Sequence, residues 1–125
     1  MSHTDLTGRE FDWFAKDEFG AIALFSTAGL GDIPVIVIEN HKAYDAISDS
    51  LESPNFGTVT VWNDFAAQGL YVFDWNESSR CYRRLAIPSC AINENLALRI
   101  SAIPNLITHE GSYANQETVS LDAGA

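Results

Sequence analysis

The sequence predicts an α+β domain. A mostly antiparallel sheet of about six short strands carries one main amphipathic helix, at about residues 40–52. Three observations predict it. Two aromatic-rich alternating runs, EFDWFAK and LYVFDW, each stop at a cluster of turn residues and are answered by a second apolar run. One stretch, HKAYDAISDSLES, has helical periodicity. The chain has 125 residues, 46% of them hydrophobic, which is enough for one core without disulfide or metal staples. A single domain over 1–125 follows, with the polar residues 1–8 expected to be a frayed tail.

In chain order, residues 10–16 read as a strand, with Phe11, Trp13 and Ala15 on one face and Asp12, Phe14 and Lys16 on the other. Asp17 to Gly20 reads as a turn, and residues 21–26 return as its partner strand. Thr27 to Pro34 is a shaped loop containing Gly29 and Gly31. It lacks the third glycine, the following helix signal and the Lys-Ser/Thr pair of phosphate-binding loops, so backbone geometry explains its glycines. VIVIE, residues 35–39, fits either a short strand or a helical lead-in. Asn40 suits an N-cap for the main helix, Tyr44, Ile47 and Leu51 form its apolar stripe, and Pro54 stops it. Thr58 to Trp62 reads as the strand-like start of a segment, 57–69, that can end in a short turn of helix broken by Gly69. Residues 70–75 and 80–87 read as a hairpin closed by a turn at 76–79, and 94–103 as a short helix with Leu96, Ile100 and Ile103 aligned. NLITH and ETVSL read as late strands.

Seventeen acidic against seven basic residues give a net charge of −10. Nucleic acids and anionic membrane surfaces need the opposite sign and are disfavoured as partners. No apolar run reaches the length of a membrane helix, and MSHTDLTGRE lacks a secretion-signal pattern, so a cytoplasmic location is expected. Cys81 and Cys90 match no zinc spacing and read as two buried free thiols. Neither His41 nor His109 has a histidine at i+3 or i+4, no regular calcium loop occurs, and no serine-hydrolase elbow is present. No catalytic residue, cofactor or metal is expected.

Four groups remain. Trp13, Trp62 and Trp75 each have an aspartate one or two positions away; core packing is their ordinary role, and an anchor for a basic partner the alternative. Asp12, Asp17, Glu18, Asp64, Asp74 and Glu77 are the candidates for an acidic partner-binding face. Arg83 and Arg84 point to opposite faces of one strand, so one is expected along the sheet in an ion pair with Asp74 or Asp12. Gly29, Gly31, Arg83 and Arg84 are the candidates for an alternative small-molecule site.

The runs Trp13-Phe14-Ala15-Lys16-Asp17-Glu18-Phe19-Gly20, Gly29 to Pro34, Gly69 to Asp74, and Tyr82-Arg83-Arg84 before Pro88 resemble a group of small, acidic, uncharacterised bacterial proteins. Some of these look like immunity proteins of toxin systems. The resemblance implies a non-enzymatic inhibitor that occludes a basic toxin domain, and residues after about 90 carry little of it. An uncovered sheet edge would also allow a homodimer.

Overall fold

The computed structural model describes residues 9–51 and 61–121. The first hairpin forms as expected, from β1 (Asp12–Asp17) and β2 (Ile22–Ser26). Its turn is held by Asp17, whose Oδ1 accepts the N–H groups of Phe19 and Ala21, each at 2.9 Å. Gly20 supplies the positive φ of 87°. The second hairpin pairs β3 (Tyr71–Asn76) with β4 (Cys81–Ala86). Two short late strands, β5 (Thr108–His109) and β6 (Thr118–Val119), complete the sheet.

The strand order is β5-β1-β2-β3-β4-β6. The α+β class holds, but the sheet is mixed. β1–β2, β3–β4 and β4–β6 are antiparallel, whereas β2–β3 and β1–β5 are parallel. The reason is connectivity. The chain leaves β2 at one end and passes through helices before β3 begins, and such a crossover delivers a parallel neighbour.

The sheet is curled and covered on both sides. Its concave face is aromatic. Trp13 stacks on Phe25 at 4.2 Å between ring centroids, Phe25 on Phe73 at 5.0 Å, and Tyr82 meets Trp13 and Phe25 edge-on. The opposite face packs against helices, with Phe14 stacked on Tyr44. Burial on both faces explains why β2 is apolar from Ile22 to Phe25 instead of alternating. Each fully buried aromatic contributes roughly 2–3 kcal/mol of transfer free energy. Trp13 and Trp75 are therefore core residues, and Trp62 is half-buried. The aromatic-anchor role is thereby closed to the first two.

Among the described residues there are four α-helices, the expected main one and three others. VIVIE forms α1 (Val35–Glu39), which begins after Pro34. α2 (His41–Ser48) follows at once, shorter than the expected 40–52 and with Tyr44 and Ile47 buried. Asn40 makes no side-chain N-cap bond; its Nδ2 donates instead to the Ile36 carbonyl, finishing α1. The strand expected at 58–62 fails at its described end. Val61–Ala66 is a helix, α3, because Val61 and Phe65 lie one turn apart and are buried together. The rest of that expectation, with Pro54, lies outside the described residues. α4 (Glu94–Ser101) matches its expected span, and Asn93 caps it by accepting the Leu96 N–H at 3.1 Å. No helix among the described residues is long and apolar enough to cross a membrane.

Candidate functional site

The site is built by the last third of the chain. After β5, residues 110–117 cross the concave face as a strap and enter β6 on the opposite sheet edge. Tyr113, in a 3-10 turn (Tyr113–Asn115), is fully buried against Phe25, Tyr71 and Phe73. Its N–H donates to Asp17 Oδ2 at 2.9 Å. Arg84 Nη1 donates to the carbonyls of Tyr113 at 2.7 Å and Ala114 at 2.9 Å. Two charged side chains from different hairpins therefore hold one strap.

His109, at the foot of the strap, shares a 2.7 Å hydrogen bond between Nδ1 and the Tyr113 hydroxyl. Burial lowers the pKa of this imidazole, and burial followed by the Asp17 charge raises that of the tyrosine. Both therefore stay neutral at pH 7, and His109 also lines a groove.

That groove has a volume of about 840 Å³ and lies between β5, β6 and the start of α1. Pro34, Val35, Ile36, Ile107, Val119 and Leu121 give it apolar walls. Two exposed carboxylates, Glu39 and Glu110, stand at its rim, and no Lys or Arg lines it. Among the described residues neither glutamate is in an ion pair; the three ion pairs there are Arg9–Asp45, Arg80–Asp32 and Arg80–Glu77. The arrangement suits an amphipathic ligand with positive charge.

The six expected acidic residues do not form one face. Asp17 is 2% exposed and is saturated by three main-chain N–H groups, so it is a structural carboxylate. Glu18 accepts the Gly111 N–H at 2.6 Å, beside the strap. Glu77 accepts from Trp75 Nε1 and Arg80 at the other end of the sheet. Asp64 is half-buried on α3. Asp12 and Asp74 lie on the helix-covered side, in register with Ser26 between them.

These two are electrostatically costly. Burial pushes the Asp12 carboxyl up to about 6, a hydrogen bond from Ser48 Oγ partly offsets it, and Glu10, Asp74 and Asp45 add to it. Asp74 is also raised, first by burial and against hydrogen bonds from Ser26 and Trp75. Its Oδ1 is buried with no hydrogen-bond partner among the described residues. The expected ion pair to Arg83 does not form there. Arg83 is exposed, opposite Asp74 in the ladder, while Arg84 is spent on the strap.

The Gly29–Pro34 loop is a packing device. Thr27 Oγ1 accepts from Phe11 N and Gly29 N, and the Tyr82 hydroxyl donates to the Asp32 carbonyl at 2.6 Å. A Cβ on Gly31 would lie 2.7 Å from that hydroxyl. Only the end of the loop, Pro34, reaches the groove. Among the described residues, Gly29, Gly31, Arg83 and Arg84 line neither this groove nor the smaller pocket at Ser50 and Arg99. Of the two thiols, Cys81 is buried as expected, but Cys90 is exposed. No cluster of three or more His, Cys, Asp or Glu among the described residues could hold a metal ion.

No family model, curated protein or solved structure matches this chain. The groove must be read from its own chemistry. Its residues were not singled out in the sequence, because Glu39, Thr108, Glu110 and Thr118 are ordinary surface types in weakly patterned stretches. The available signal was the pair of late short strands, whose common edge position only the topology reveals.

Proposed function

We propose that this chain is a non-enzymatic binding protein whose partner is a basic protein, acting by occlusion in the manner of an immunity protein. The observation that carries the proposal is the groove: apolar walls, two carboxylates at the rim and, among the described residues, no ion-pair partner for either and no cationic lining residue. The net charge of −10 supports the same sign of partner at long range, where complementary potential speeds encounter. The binding centre moves from the dispersed acidic residues to Glu39 and Glu110.

The test is capture from the native organism's lysate by tagged wild type and by a Glu39→Lys/Glu110→Lys variant, at ~50 mM and ~500 mM salt, a range that spans strong to weak screening. One basic protein retained at low salt, lost at high salt and absent with the variant is the expected result. Retention that ignores both salt and the variant overturns the reading. The groove's volume also falls within the few hundred to ~1,000 Å³ typical of small-molecule pockets, which favours an amphipathic cation as the second reading. Thermal stabilisation by such compounds, with no protein captured, would establish that one instead.

A further inference from the structure

We propose that the groove takes an extended, basic-apolar peptide segment as a seventh strand between β5 and β6. The inference rests on the basic-partner reading above and adds to it the mode of recognition. Both edge strands of the sheet line one groove, because the strap carries the chain from one edge directly to the other. Among the described residues, β5 pairs only with β1, and β6 only with β4. The Ile107 carbonyl accepts from Lys16 N, and the Glu117 carbonyl from Arg84 N. Main-chain groups alternate in direction along a strand, so Thr108 and Thr118 turn their N–H and C=O outward, into the groove. Both are exposed and both line it.

Open strand edges are templates for pairing, and an added strand gains affinity from main-chain bonds and specificity from alternate side chains. Following the ladder from β1, β5 runs parallel to it and β6 antiparallel. An inserted strand is therefore parallel to one edge and antiparallel to the other. An extended residue in a covered sheet fills roughly 160 Å³, from a ~4.8 Å spacing, a ~3.3 Å rise and a ~10 Å layer, so the groove holds about five residues. Alternation then places one set of side chains against Ile107, Val119 and Leu121 and the other toward Glu39 and Glu110. The charge complement selects Lys or Arg for the second set.

The experiment measures anisotropy of a labelled, end-blocked KVKVKV peptide on the full chain, with amide exchange read at Thr108 and Thr118. Binding is expected, with slowed exchange at both threonines. The EVEVEV peptide and a KVKVKV peptide N-methylated at alternate residues should each bind about tenfold more weakly or worse. No binding of KVKVKV, equal binding of the methylated peptide, or protection confined to other amides overturns strand insertion. The basic-partner reading has its own readout: if peptides fail but Glu39→Lys/Glu110→Lys still abolishes salt-sensitive capture, only the strand mode is lost.

Discussion

At the scale of single residues, two aspartates of one strand differ in their hydrogen bonding: Asp12 accepts from the Ser48 hydroxyl, and Asp17 from three main-chain N–H groups. Asp12 has a folded-state pKa of about 6 against an ordinary 3.8, so the fold prefers it protonated. Its contribution to stability is fully present below the unfolded value and is lost as pH rises through the folded one. A shift of two units corresponds to at most about 3 kcal/mol, and side-chain relaxation reduces what is realised. Asp12→Asn is expected to stabilise the protein by about 1–2 kcal/mol at about pH 7.5 and to change little at about pH 4, in urea unfolding at the two pH values. A destabilisation at both would contradict the burial argument. Asp17, at the other end of β1, is a buried carboxylate whose two oxygens take three N–H groups from its own turn and the strap. Asp17→Ala is expected to cost about 3–4 kcal/mol, because three donors lose a charged acceptor together. The same measurement checks it; a loss within experimental error would mean that water replaces the carboxylate.

At the scale of elements, the two hairpins were legible because each has its alternation and its turn in one continuous run. Phe11 to Ser26 and Leu70 to Ile87 therefore show nearly their whole design locally. The start of α3 was read as strand because Val61 and Trp62 are β-branched and aromatic, while burial of Val61 with Phe65 is a tertiary matter. The strap was illegible for a similar reason. Its anchor Tyr113 sits among Gly, Ser, Ala and Asn, and what holds it, Asp17 and Arg84, lies far away in sequence. The Gly29–Pro34 loop was read correctly as shape, and the structure adds the constraint. At Gly31 the limit is space, since the Tyr82 hydroxyl, the Thr27 carbonyl and the Trp75 Cβ crowd the missing Cβ. Gly31→Ala is expected to cost about 1–3 kcal/mol, as overpacking in a rigid aromatic cluster does. In a double-mutant cycle with Tyr82→Phe, the second substitution removes the closest atom and should recover part of that cost. Strict additivity of the two would show that the loop yields elsewhere.

At the scale of the whole molecule, the charges are arranged against the free state. Seventeen acids face seven bases, and of the bases Arg84 serves carbonyls while Arg80 alone enters two of the three ion pairs among the described residues. Glu39 and Glu110 stand beside the groove in that field with no ion-pair partner among the described residues. A compact chain with excess charge repels itself, and added salt screens this repulsion more than it weakens a few exposed pairs. Stability should therefore rise by about 1 kcal/mol as sodium chloride increases from ~20 mM to ~500 mM, read as an increase in thermal midpoint. Glu39→Gln/Glu110→Gln should be more stable than wild type at low salt, and the difference should shrink as salt is added. The same repulsion is relieved when a cationic segment enters the groove, so salt must act in opposite directions on the two equilibria, strengthening the free fold and weakening the complex. A free protein that loses stability with salt would mean that attractive pairs dominate its surface, and the groove carboxylates would then have no unrelieved field for a basic partner to neutralise.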